Sequence, residues 1–149
     1  MNYNKMKDIR EYFEMTQEEV ATKLNVSRST YAGWENGIDT IPLVKLNDFC
    51  NCFDVSLDYM CDLSDVKKID SNNNIVDKIN IGLKLKEIRT AHNDTQEKTA
   101  AAIQVERSTY CRYELGESNM TVLEIKLFAS HYNVSMDYIC DKIKITEEN

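Results

Sequence analysis

Val26-Ser27-Arg28-Ser29-Thr30-Tyr31-Ala32-Gly33-Trp34-Glu35-Asn36-Gly37 is the stretch whose reading decides the fold. It is polar at its start, carries large apolar residues three apart at Tyr31 and Trp34, and closes on Asn-Gly. A helix stops readily there, because both residues tolerate left-handed backbone. Seventy-nine positions later the chain repeats itself as Val105-Glu106-Arg107-Ser108-Thr109-Tyr110-Cys111-Arg112-Tyr113-Glu114-Leu115-Gly116. A short helix with Arg and Ser in its first turn and aromatics behind is what reading a DNA groove requires. Two ordinary amphipathic helices are the competing explanation.

The repeat extends well beyond these helices. Shifted by 79, residues 6–62 align with 85–141 without a gap, and about 21 of 57 positions are identical. Ile9-Arg10 returns as Ile88-Arg89, Thr16-Gln17-Glu18 as Thr95-Gln96-Glu97, and Val55-Ser56 as Val134-Ser135. One domain of about 60 residues, large enough to fold alone though marginally, has been duplicated. The boundaries expected are 1–62 for the first copy, 63–79 for a linker, 80–142 for the second copy and 143–149 for a tail.

Four Gly and one Pro in 149 residues favour an all-helical chain over a turn-rich β fold. No apolar run reaches the roughly 20 residues of a membrane span, and Met1-Asn2-Tyr3-Asn4-Lys5 leads into no signal-peptide core. Five cysteines without a CxxC pair fit neither a disulfide framework nor a zinc site. Cys61 and Cys140 hold equivalent positions among apolar residues and read as buried thiols in a reducing cytoplasm. His92 and His131 are not equivalent to each other and read as surface or rim residues. The net charge of −7 means that any DNA-binding surface is a local patch on an acidic body. Residues 6–62 carry 5 basic against 11 acidic side chains, and 85–141 carry 6 against 9.

Periodicity then places five helices in each copy. Met6, Ile9 and Phe13 form the apolar stripe of helix one. Thr16 and Glu19 form a capping box at helix two, whose inner face is Val20, Ala21 and Leu24. Asn25 suits a left-handed turn, and Ser27 caps helix three. Pro42 belongs to the first turn of helix four, with Leu43, Leu46 and Phe49 inward. Ser56 caps a short helix five. Within the linker, Ser71-Asn72-Asn73-Asn74 is turn-prone, and Ile75, Val76 and Ile79 could begin a helix before the second copy. Helix one of the second copy is expected from near Ile81, with Leu85 and Ile88 inward, and helices two to five at 95–103, 106–114, about 121–131 and 135–140.

Thr16-Gln17-Glu18-Glu19-Val20-Ala21, the turn Leu24-Asn25-Val26, Ser27 to Thr30, Trp34-Glu35-Asn36-Gly37, Pro42 and Val55 to Tyr59 together resemble the Cro/phage-repressor (XRE-type) helix-turn-helix domain. The resemblance covers about three quarters of the chain in two tandem copies. It implies an all-α fold of two five-helix, lambda-repressor-like domains, each with helix three in the major groove and the start of helix two on the phosphate backbone. By position it assigns DNA contact to Gln17, Ser27, Arg28, Ser29 and Gly33, and to Gln96, Arg107, Ser108 and Arg112, with Glu106 facing the groove beside them. Arg28 and Arg107 have the chemistry for this, since Arg pairs bidentately with guanine O6 and N7. The resemblance also implies structural ion pairs, Arg10 with Glu35 and Arg89 with Glu114, both separated by 25 residues.

The chain departs from the family after Asn-Gly. Neither Ile38-Asp39-Thr40-Ile41 nor Glu117-Ser118-Asn119-Met120 supplies the usual phosphate-gripping Lys or Arg. Glu106 replaces the capping Ser, Lys98 the capping-box Glu, and Gln104 the residue of the tight turn. The function expected is sequence-specific binding of a double-stranded DNA operator by a cytoplasmic transcriptional regulator. The chain would act as a homodimer or, with two heads on about 17 residues of linker, as an intramolecular pseudo-dimer. The alternative is a protein-interaction module with a protein partner, antitoxin- or anti-repressor-like, in which one or both copies do not bind DNA. No phosphate loop, metal spacing or nucleophile–base pair calls for an enzyme, a metal or another cofactor.

Overall fold

The computed structural model describes residues 3–68 and 75–143; Ser71 to Asn74 and the tail beyond Ile143 lie outside them. Two compact units emerge, Met1–Ile69 and Asp70–Asn149. The described residues form ten helices and no strand. In the first unit these are α1 (Tyr3–Tyr12), α2 (Gln17–Lys23), α3 (Arg28–Glu35), α4 (Leu43–Phe53) and α5 (Leu57–Met60). The second holds α6 (Lys78–Ala91), α7 (Gln96–Ala102), α8 (Arg107–Glu114), α9 (Val122–Tyr132) and α10 (Met136–Ile139). The fold is two all-α helix-turn-helix domains in tandem.

Helices of seven or eight residues are unstable alone, so burial of one face must hold them. In the first unit Met6, Val20, Leu24, Tyr31, Leu46, Phe49, Leu57 and Met60 are all essentially inaccessible to solvent. In the second, Leu85, Ala100, Ile103, Tyr110, Ile125, Phe128, Met136 and Ile139 build the same core. α1 and α2 both pack on α3, as α6 and α7 both pack on α8. Each third helix is therefore wedged by its two predecessors.

The ends of the helices are set by local chemistry. Thr16 accepts the Glu19 amide while Glu19 reaches back to the Thr16 amide, closing a capping box. The Ser27, Ser56 and Ser135 hydroxyls cap α3, α5 and α10 by accepting the amides of Thr30, Tyr59 and Tyr138, without the reciprocal bond of a box. Pro42 stands one position before α4, as its N-cap. Left-handed backbone carries the repeat with particular clarity. Glu14, Asn25, Asp54 and Asp62 have positive φ, and so do Asn93, Gln104, Asn133 and Asp141, each 79 residues on; Gly37 and Gly116 complete the series. Identity differs at most of these sites while the conformation is kept. Turn geometry has thus outlasted the residues that favour it.

Two expectations are revised. Phe13 lies just past α1 and is 49% exposed, because Glu14 at positive φ ends the helix before the apolar stripe is complete. It meets Phe53 at the surface, ring centroids 5.2 Å apart, instead of joining the core. α6 begins at Lys78, not near Ile81, because the Asp77 side chain accepts the Ile79 amide and caps the helix early. The start of the span 63–79 is bound to the first unit. The Ser56 amide and hydroxyl donate to the carbonyls of Lys67 (2.9 Å) and Val66 (3.1 Å), and Lys68 pairs with Asp54 at 3.0 Å.

Candidate nucleic-acid interface

The turn between α2 and α3 is a Schellman closure: the Val26 amide donates to the Ala21 carbonyl (3.0 Å) and the Asn25 amide to Thr22 (3.1 Å). Gln104 takes the place of Asn25 between α7 and α8, at φ 63°, with the Val105 amide on Ala100 (3.0 Å). A residue other than Gly or Asn is strained there, yet the turn is the same. Both units accordingly present a third helix with its first turn in solvent.

Behind each third helix sits a fork-to-fork ion pair. Arg10 Nε and Nη2 donate to Glu35 Oε2 and Oε1 at 2.9 and 2.7 Å, and Nη1 donates to the Met15 carbonyl at 2.9 Å. Arg89 binds Glu114 at 2.8 and 2.9 Å and the Asp94 carbonyl at 2.8 Å. One guanidinium thus spans the first helix, the loop after it and the third helix. The Glu35 side chain is 1% exposed. Burial alone would raise its carboxyl, but the Arg10 hydrogen bonds and charge outweigh that and hold it below the usual carboxylate range. The Glu35 hydrogen bond lifts the Arg10 guanidinium above its ordinary value.

The proposed contact residues fall in different surroundings. Arg28 and Ser29 are exposed at the start of α3, and Arg107 and Ser108 are exposed at the start of α8. The Ser27 hydroxyl is occupied locally, accepting the Thr30 amide (3.2 Å) and donating to Thr30 Oγ1 (2.8 Å). Glu106, its counterpart, is exposed and makes no side-chain cap. Gln17 is half-buried, its amide 3.4 Å from Glu35 Oε1, so it turns toward the ion pair; Gln96 is half-buried as well. Gly33 is buried and presents no side chain, whereas Arg112 at the matching position of α8 is exposed.

Lys5 and Lys84 form a further repeated link that lies outside the aligned window of the sequence. Lys5 Nζ donates to the Tyr59 carbonyl (2.7 Å), pairs with Asp62 (2.8 Å) and lies 4.0 Å above the Tyr59 ring. Lys84 does the same with Tyr138 and Asp141. The recurring Asp-Tyr pair and the recurring Asp62 and Asp141 were the signal in the sequence. Trp34 and Lys45 change together to Tyr113 and Glu124, and the Tyr113 hydroxyl donates to both Glu124 oxygens at 2.9 Å. Burial, with that carboxylate beside it, pushes the Tyr113 hydroxyl up to about 12.

A five-helix unit with a Schellman turn and an exposed third helix, present twice, defines a tandem helix-turn-helix protein. Comparison with known families agrees: the helix-turn-helix family model matches residues 6–60 and again 85–139, so the chain belongs to the XRE-type helix-turn-helix family of DNA-binding regulators, a class without enzymatic activity. It is similar to an uncharacterized HTH-type transcriptional regulator, YobD of Bacillus subtilis (strain 168), with 32% identity over 65 residues. That match takes in 44% of this chain and spans 58% of the relative's length. No solved structure matches the chain significantly. Among the described residues no helix is long and apolar enough to cross a membrane.

Proposed function

We propose that the chain is a sequence-specific transcriptional regulator that binds a double-stranded DNA operator with helix three in the major groove. One observation supports this above the rest. Of the five arginines, Arg10 and Arg89 are held in the ion pairs, while Arg28, Arg107 and Arg112 are exposed with no carboxylate partner among the described residues. All three lie on α3 or α8. An acidic protein that keeps its unpaired guanidinia on these two helices places the group best suited to pairing with guanine or phosphate where a duplex would dock.

Arg28 and Arg107 occupy the first helical turn, where backbone amides also point at an approaching phosphate. Ser29 and Ser108 stand beside them with a hydroxyl for a base or phosphate. Gln17 and Gln96 open the second helices and would lie at the backbone. The protein acts in the cytoplasm, as a homodimer or as a pseudo-dimer of its two heads. Selection of bound duplexes from a random pool, followed by footprinting, tests the proposal. One enriched motif with a protected site is expected, and recovery of unenriched sequence would overturn it.

A further inference from the structure

We infer that the two units have divided DNA recognition between them: α8 reads base edges, and α3 attaches to the backbone only. The inference rests on the operator-binding proposal and assigns the work within it.

The asymmetry begins at Gly33. The amides of Ile38 and Asp39 fold back onto the Gly33 carbonyl, at 2.9 and 3.1 Å. That turn brings the Asp39 carboxylate across the helix face. A Cβ built on Gly33 would lie 2.8 Å from Asp39 Oδ2, so the carboxylate stands directly over the helix at the position where α8 carries Arg112. Asp39 is exposed and has no ion-pair partner among the described residues. In the second unit the same turn returns the Glu117 amide to the Arg112 carbonyl at 3.0 Å, but Ser118 replaces Asp39. No carboxylate follows the turn at that position, and Arg112 is exposed.

A guanidinium in one unit is therefore matched by a carboxylate in the other, on the face that enters the groove. Phosphates flank that groove, so an uncompensated carboxylate is repelled while a guanidinium is drawn in. Along α8, Arg107 and Arg112 are five residues apart, about 7.5 Å of helix rise, or roughly two base-pair steps. Two guanines can be addressed together. α3 offers Arg28 alone: it matches Arg107 in position, but no second guanidinium stands with it and the Asp39 carboxylate lies along the same face, which leaves it a phosphate contact. α8 also carries Glu106 and Glu117 at its two ends. Both carboxylates feel the same repulsion as Asp39, but each has an exposed guanidinium on its own helix, Arg107 next to Glu106 and Arg112 five residues before Glu117. One chain then supplies one base-reading head, and an operator with two half-sites takes two chains.

The test uses the full chain, an operator selected from a random pool, and an unrelated duplex of the same length, read by fluorescence anisotropy. Arg107→Ala and Arg112→Ala are each expected to weaken operator binding by about 5- to 150-fold while changing binding to the unrelated duplex far less. Arg28→Ala is expected to weaken both duplexes by one common factor, preserving their ratio. Asp39→Asn is expected to tighten both. Mass measurement of the complex should give two chains on an inverted pair of half-sites. All four side chains are exposed, and circular dichroism with Trp34 fluorescence checks that each variant is folded. The division of labour is overturned if Arg28→Ala collapses the operator-to-unrelated ratio, if Arg107→Ala and Arg112→Ala preserve it, or if one chain covers both half-sites. Failure of the wild-type chain to enrich any sequence strikes the operator-binding proposal itself, so the two failures are distinguishable.

Discussion

Glu35→Gln keeps the shape of the side chain and removes its charge, leaving the Arg10 guanidinium at the α1–α3 junction without its counterion. The pair is well enclosed, with side chains 12% and 1% exposed. Breaking such a pair by removing one partner costs about 3–5 kcal/mol. A unit of about 60 residues has roughly 3–9 kcal/mol in total, so this unit would stand close to its folding threshold. With a urea slope of about 1 kcal/mol/M for so small a unit, the midpoint should fall by about 3 M. Trp34 is the chain's only tryptophan and is buried in the first unit, so its fluorescence follows that unit while circular dichroism follows both. The acid response follows from the direction of the shift. Glu35 is held below its ordinary value, so its stabilisation is complete above the unfolded-state value near 4.3 and is lost as pH falls through the lowered one. Glu35→Gln should lose this acid-dependent component in the Trp34 signal. A midpoint shift below about 0.5 M, or an unchanged acid response, would refute the reasoning.

Tyr132→Phe should destabilise the second unit by about 1–3 kcal/mol, because the fully buried Thr99 hydroxyl, 2.7 Å from Tyr132 Oη, loses its partner. Chemical denaturation followed by circular dichroism measures this, and an unchanged midpoint contradicts it. Gly82→Ala places a methyl 2.5 and 2.6 Å from the carbonyl oxygens of Tyr113 and Glu114, so α6 must move away from the end of α8. The cost expected is about 1–3 kcal/mol, with weakened operator binding in the same variant; retention of both stability and affinity speaks against it. Three unpaired arginines per chain displace few counterions, so log affinity against log salt should have a slope no steeper than about −3 for each chain bound. A slope steeper than about −6 for each chain bound would mean that the phosphate contacts lie elsewhere.

The amino-acid sequence determined by itself what depends on neighbours along the chain. The 79-residue repeat is read by laying the chain against itself, while the Thr16–Glu19 box, the Ser caps and the buried faces of α2, α3 and α4 follow from spacing within four residues. Hydrogen bonding and helical periodicity operate over that range. The left-handed sites show the limit of residue identity: Asn25 announces its turn, while Glu14 and Gln104 adopt the same conformation without the residue preference. Tertiary structure decided what depends on which faces meet. It set Phe13 at the surface, brought Lys5 to Tyr59 across 54 residues, and pressed Gly82 against the carbonyls of α8. At the interface it turned Gln17 toward Glu35 and laid Asp39 over Gly33. In sequence Gly33 and Arg112 are two residues at one repeat position. In three dimensions one lies under a carboxylate and the other is exposed, because the turn after α3 folds the Asp39 amide back onto the Gly33 carbonyl, whereas the matching residue after α8 is Ser118.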